Sequence, residues 1–302
     1  MHIYLPIAGQ SVNALFIVGL GWVVGLLSGM FGVGGGFLTT PLLIFYGIPP
    51  SVAVASATTQ ITGASVSGVL VHMRRGGVDL QMAAVMVVGG LFGSVAGAFL
   101  FRTLQSTGQI DVVIGFLYVL LLGGIGGLML KDALSTLGWV KFAQPAEPAR
   151  HTRWAASLPF RFRFAASGLF LSPIAPLAIG FGAGMLTLLL GIGGGFILVP
   201  AMIYLLRMPP RVVIGTSLAM VLCVSAGTTL IHSMTTGSVD IVLAGLLLIG
   251  GVVGAQYGAL LATRLKPDLL RFALAIVILL VALRMGLGLV WRPDEIFSIE
   301  QL

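Results

Sequence analysis

Two stretches decide the fold, and each is a copy of the other. The first is Phe31-Gly32-Val33-Gly34-Gly35-Gly36-Phe37, followed by Leu38-Thr39-Thr40-Pro41. The second is Leu190-Gly191-Ile192-Gly193-Gly194-Gly195-Phe196, followed by Ile197-Leu198-Val199-Pro200. Each interrupts a long apolar run. Glycine costs about 1 kcal/mol relative to alanine inside a helix, and backbone left unpaired in an apolar medium costs more. A break that recurs with a proline at the same distance points to a buried polar site at that position.

The flanking runs give the class. The chain of 302 residues is 58% hydrophobic and 8% charged, against about 25% charged in a soluble domain. The stretches 12–31, 51–73, 80–101, 110–130, 174–190, 211–234, 240–263 and 271–290 are almost free of charge. About 20 apolar residues in a helix cross a bilayer core of roughly 30 Å. The sequence therefore predicts an all-α polytopic membrane protein. The net charge of +7 resides in loops, where basic residues set topology, so nucleic acid is not expected as a partner. The single cysteine, Cys223, excludes an internal disulfide. No basic stretch precedes the first apolar run, and 12–31 is read as a retained membrane segment rather than a cleaved signal.

The two halves are a repeat. A shift of 159 places brings Gly25 onto Gly184, Gly34-Gly35-Gly36 onto Gly193-Gly194-Gly195, and Pro41 onto Pro200. A shift of 160 brings Pro49-Pro50 onto Pro209-Pro210, Ser56 onto Thr216 and His72 onto His232. A shift of 161 brings Asp79 onto Asp240, and Gly89, Gly93 and Gly97 onto Gly250, Gly254 and Gly258. The expected organisation is a first membrane repeat over 1–130, a basic cytoplasmic linker over 131–173, and a second repeat with a short tail over 174–302. Glycines four apart have a plain meaning in lipid: they let helices pack closely.

Loop charge predicts that the repeats are inverted. The linker, loop 74–79, the turn flanked by Arg207 and Arg211, and loop 264–271 are basic and belong in the cytoplasm. Loops 102–109 and 235–239 and both termini then lie outside. Loops 74–79 and 235–239 correspond, yet fall on opposite sides. Inversion requires an odd number of crossings per half. Three are clear, so 12–31 and 37–47 must leave and return on one side. The second arm, about 16 Å as helix, is too short to cross. The expectation is a Gly-rich re-entrant hairpin plus three transmembrane helices in each repeat, a transporter architecture. Anything from six spans plus two hairpins to ten full spans fits the same loops.

Non-helical backbone at membrane depth must be satisfied by protein or by a watery cavity. The helices that restart at Phe37 and Phe196 direct free N–H groups and a positive dipole end at the break, which favours an anion by about 0.3–2 kcal/mol. The expected substrate-binding residues are Gly34, Gly35, Gly36, Phe37, Gly193, Gly194, Gly195 and Phe196, joined by the hydroxyl and amide groups of Thr39, Thr40, Ser56, Thr59, Gln60, Thr216 and Ser217. The plainer reading of any one hydroxyl is a bond to its own helix. Thr39, Thr40, Thr59 and Gln60 correspond to Leu198, Val199, Ala219 and Met220, so the site leans toward the first half. His72 and His232 are candidates for proton coupling, with interfacial packing as the alternative. Asp79 and Asp240 read as helix N-terminal residues. There is no metal-ligand spacing, no phosphate-loop lysine and no pairing of nucleophile with base. Neither a metal nor another cofactor is expected, and an enzyme is disfavoured.

The doubled motif resembles the TauE/SafE family of sulfite and organosulfonate exporters. The second copy is followed by Gly215-Thr216-Ser217-Leu218, where the first half has Ala55-Ser56-Ala57-Thr58. The resemblance covers about 12–290. It implies a multi-pass protein of the bacterial inner membrane that moves sulfite, sulfoacetate or related sulfur-containing anions. The expectation from the doubled break is export by alternating access around one midplane anion site. Two rivals remain: a proton-coupled importer of a sulfur oxyanion, and a non-transporting scaffold or receptor subunit using the basic, aromatic segment 150–164. The residues say nothing of oligomeric state.

Overall fold

The computed structural model describes residues 2–31, 35–74, 76–136, 162–164, 166–262 and 267–290. Each half runs through the same order of elements. The first has strands β1 (His2–Leu5) and β2 (Gln10–Asn13), then helices α1 (Ala14–Phe31), α2 (Gly36–Phe45), α3 (Pro50–Arg74), α4 (Leu80–Ser106) and α5 (Ile110–Thr136). The second has β3 (Phe162–Phe164), β4 (Leu169–Leu171), α6 (Ile174–Leu190), α7 (Gly195–Tyr204), α8 (Pro210–Thr235), α9 (Ile241–Ala262) and α10 (Pro267–Val290). Among the described residues six helices are long and apolar enough to cross a membrane: 50–74, 80–106, 110–135, 212–235, 241–258 and 272–290. The polytopic helical class expected from composition is the observed one.

Two antiparallel hairpins add to it, pairing His2 with Asn13 and Phe162 with Leu171. The second falls in the stretch expected to be linker, and α5 continues to Thr136. Strands this short carry no readable alternation. Residues 137–161 and 291–302, with most of the basic segment and the tail, lie outside the described residues.

Local sequence sets the helix ends. Pro50 and Pro210 open α3 and α8, where a missing N–H costs nothing. Asp79 and Asp240 cap α4 and α9 by accepting the N–H groups of Met82 and Leu243, each at 3.0 Å.

Packing interlocks the halves. Along α1, Gly21, Gly25 and Gly29 lie on Leu247, Gly251 and Ala255 of α9. Along α6, Gly180 and Gly184 lie on Met86 and Gly90 of α4. A Cβ at Gly254 would fall on the Trp22 carbonyl, and one at Gly93 on the carbonyl of Phe181, the counterpart of Trp22. The glycines four apart are therefore backbone-to-backbone contacts, and each joins one half to the other. In both pairs residue numbers rise together, so the helices run parallel.

Helices that correspond to each other instead run antiparallel. Thr62 meets Ser225, Thr59 meets Thr229 and His72 meets Gly215 along α3 and α8. Gly115 meets Leu289 and Gly126 meets Ile278 along α5 and α10.

Candidate functional site

The short helices return to where they left. Tyr46, just past α2, stacks on Phe16 at 4.6 Å between centroids, and its hydroxyl lies 3.4 Å from the Asn13 N–H at the head of α1. In the second half Leu206 and Met208, past α7, pack with Phe164, Leu171 and Ala175 at the head of α6. Both arms thus form helical hairpins that turn back on themselves. The heads of α2 and α7 lie deep in the fold: Gly35 abuts Val24 and Gly194 abuts Ala183, each in the middle of its long helix.

The two tips meet. Phe37 and Phe196 stack with centroids 4.7 Å apart and planes 12° apart. A Cβ on Gly36 would strike Ile61 and lie 2.8 Å from the carbonyl oxygens of Gly191 and Ile192. Only a residue without a side chain fits there. Gly194, the N-cap of α7, has φ +73°, which L-residues rarely adopt. The first N–H groups of α2 and α7 therefore converge on one buried place from opposite directions. Pro41 and Pro200 each sit six residues into their helix, and each leaves one carbonyl in the preceding turn without its usual partner.

Polar side chains at this place come mainly from the first half. Thr39 Oγ1 donates to the Gly35 carbonyl at 3.1 Å and lies 3.2 Å from Gln60 Oε1. Thr40 is fully buried, lies against Gly191, and faces the Tyr118 hydroxyl with its own. Gln60 reaches Gly251 of α9. The counterparts of Thr39 and Thr40, Leu198 and Val199, are apolar.

The end of α6 needs donors, because a helix that stops in an apolar interior leaves carbonyls unpaired. Gly191, in the left-handed conformation, gives its N–H to Thr187 at 2.8 Å. The Tyr118 hydroxyl donates to the Leu190 carbonyl. His232, fully buried, places Nε2 3.1 Å from the Leu188 carbonyl and Nδ1 3.3 Å from Thr236 Oγ1, with its ring edge on Phe101.

The expected site residues divide accordingly. Gly35, Gly36, Phe37, Thr39, Thr40 and Gln60 come together with Gly193, Gly194, Gly195 and Phe196. Gly34 lies outside the described residues. Thr59 bonds to the Ala55 carbonyl and lies 3.4 Å from Thr229 along the α3–α8 crossing. Ser217 bonds back to Ile214 of its own helix. Ser56 and Thr216 lie at opposite ends of the molecule, accepting the N–H groups of Asp240 and Asp79 at 3.1 and 2.9 Å. His72 and His232 lie toward opposite ends of the antiparallel α3–α8 pair. Sequence reasoning missed Tyr118, and it missed the hydroxyls that α8 and α4 add: Ser225, 3.0 Å from Thr62, and Thr228, 3.0 Å from Ser94. A lone tyrosine in an apolar helix was the one signal for Tyr118. Among the described residues no group of three His, Cys, Asp or Glu could hold a metal ion.

This doubled, glycine-broken architecture has relatives. Residues 17–285 match the family described as "Sulfite exporter TauE/SafE". The chain belongs to the TauE/SafE family. It is 27% identical to "Probable membrane transporter protein YunE" of Bacillus subtilis, over 89% of this chain and 96% of that protein. It is 28% identical to "Probable membrane transporter protein YjnA" of the same organism, over 89% and 98%, and 27% identical to a "Probable membrane transporter protein" of Xylella fastidiosa, over 94% and 97%. No solved structure matches. The family and these relatives make the chain a multi-pass membrane protein of a transporter family.

Proposed function

We propose that this TauE/SafE protein carries a sulfur-containing anion (sulfite, sulfoacetate or a related organosulfonate) out of the bacterial cytoplasm, across the inner membrane, by alternating access around the place where the hairpin tips meet. One observation carries the reading: the heads of α2 and α7 meet, with Phe37 stacked on Phe196 beside the buried Thr39 and Thr40. Backbone N–H groups at helix heads recognise oxyanions without a buried cation. Thr39, Thr40 and Gln60 add directional hydrogen bonds from one side, and Phe37 and Phe196 form the apolar wall between the tips. The choice of sulfur follows the family's description.

The antiparallel packing of α3 with α8 and of α5 with α10 supports inverted insertion of the repeats. The contacts of Asp79 with Ser167 and of His72 with Gly215 put loop 74–79 and the starts of α6 and α8 at one end. That end also receives the linker, and the basic loops make it the cytoplasmic one. Both termini then face outward. In a cell negative inside, expelling one negative charge gains about 2.3 kcal/mol per 100 mV, roughly 50-fold in concentration. Export therefore needs no coupling ion.

Flux from sealed proteoliposomes loaded with sulfite or sulfoacetate tests this. Anion exit driven by membrane potential alone is the expected result. Movement that requires a pH gradient would replace the uncoupled exporter with a proton-coupled carrier. No movement of any sulfur anion would remove the substrate assignment.

A further inference from the structure

Each end of the molecule carries the same clasp, made from an aspartate of one half and a β-hairpin of the other. At the end where α6 begins, Asp79 Oδ1 caps α4 while Oδ2 accepts the Ser167 N–H at 2.9 Å, in the turn between β3 and β4. The Asp79 N–H donates to Thr216 Oγ1 at 2.9 Å. At the end where α1 begins, Asp240 Oδ1 caps α9 while Oδ2 accepts the Ile7 N–H at 3.2 Å, in the turn between β1 and β2. The Asp240 N–H donates to Ser56 Oγ at 3.1 Å. Both carboxylates are buried. Aspartates and hydroxyls alike are counterparts under the repeat.

The β-hairpins lie over the roots of the re-entrant hairpins. Leu5 and Val12 share a buried cluster with Leu43, Ile48 and Val52, and Gln10 Nε2 donates to the Gly47 carbonyl at 3.4 Å; Phe164 and Leu171 share a buried cluster with Met202, Leu206 and Val212. Any route from water to the tips that follows a re-entrant hairpin starts beneath one of these straps.

We propose that the clasps are the two gates of the transport cycle: Asp240 with Ile7 closes one end, Asp79 with Ser167 closes the other, and a strap lets go of its aspartate when that end opens. This rests on the alternating-access reading above. The bond from Oδ2 to the turn is the one that can be given up. An opened carboxylate keeps its cap on Met82 or Leu243 and takes water in place of one N–H, while the freed N–H also meets water. Exchange of protein for water partners is far cheaper than leaving either group dry. Because each strap belongs to the half that does not own its aspartate, opening an end separates the halves there. With both clasps made, the observed arrangement is closed at both ends.

Asp79→Asn and Asp240→Asn separate gate from cap. Asparagine is as good an N-cap as aspartate, but its amide presents NH2 where Oδ2 received the turn N–H. Reporters are Val52→Cys and Val212→Cys, buried counterparts under the two straps, in a Cys223→Ala background. The measurement is the rate of labelling by a membrane-impermeant methanethiosulfonate applied to each face. Asp240→Asn should raise labelling at position 52 at least tenfold and leave 212 unchanged, and Asp79→Asn should do the reverse. Ser56→Ala and Thr216→Val, which loosen the anchor and leave the carboxylate intact, should give the same side-specific rise at about threefold. These two decide the matter if an Asn variant fails to fold. Labelling that does not change, or that rises at both reporters in every variant, overturns the proposal. The readout needs no substrate, so a wrong choice of anion would leave it untouched.

Discussion

In the first re-entrant hairpin, the helix after the break carries Thr39 and Thr40 into the meeting point and leans on Gln60. In the second, the same positions are Leu198 and Val199, and the polar contacts belong to the backbone at the end of α6, tied down by Tyr118 and His232. The two share a frame: glycine at the tip, proline six residues in, and an aromatic ring where the tips meet. Their chemistry is divided. On the proposed reading the first hairpin supplies side-chain ligands and the second a fixed wall with a dipole end. On that reading the repeat supplies a common scaffold, and the differing residues at 39–40 and 198–199 make one copy the binder and the other the support.

The shared frame is tested by the largest expected effect. Gly36→Leu drives a side chain into Ile61 and two carbonyls, and Gly194→Leu forces an unfavourable backbone conformation against Thr187. Displacing a site by about 1 Å can cost about 100-fold in rate. Both variants should lose transport by at least about that factor while still inserting, as read by flux and by membrane fractionation. Loss in one alone would break the equivalence.

Division of labour predicts a split between stability and affinity. Tyr118→Phe leaves the Leu190 carbonyl without its donor, a cost of about 1–3 kcal/mol for a buried group, and should lower the melting temperature in detergent. Thr40→Val keeps the shape and removes the hydroxyl that faces Tyr118. It should weaken apparent substrate affinity about tenfold, the equivalent of roughly 1.4 kcal/mol, with a smaller loss of melting stability than Tyr118→Phe, because Tyr118 then keeps its bond to the Leu190 carbonyl. Val199→Ala, at the counterpart position, should change affinity less than about twofold. The comparison fails if Val199→Ala costs as much as Thr40→Val. The smallest effect concerns the stacked pair. Phe37→Leu and Phe196→Leu each give up a ring contact worth about 0.5–1.5 kcal/mol. The two losses of melting stability should be equal within error, because each removes the same pair.

Much of this frame was legible. Charge-free runs, the doubled glycine break and the matched glycines four apart are strong signals. Broken backbone inside a bilayer must find partners in protein or water, and glycines four apart bring helix backbones into contact. The return of α2 beside α1 followed from the shortness of 37–47. The straps were not legible: strands of three or four residues have no period to read, and the Ser167 N–H acquires its role from an aspartate 88 positions away. Ser56 and Thr216 were visible as a matched hydroxyl pair, but sequence could not say which face of the helix they occupy. They serve the heads of α9 and α4 rather than the tips. Tyr118 was silent for a similar reason, since its purpose exists only once α6 ends beside it.

The parallel pairing of α1 with α9 carries a consequence for biogenesis. The backbone-tight face of α1, at Gly21, Gly25 and Gly29, finds its partner only when residues 241–262 have emerged. At about 5–20 residues per second, that face waits on the order of 10–40 s after its own synthesis, held by lipid or by the insertion machinery. The first half cannot mature alone, whereas two separately expressed halves contain every contact the fused chain makes between them. Co-expressed as two polypeptides inserted in opposite senses, they should reassemble.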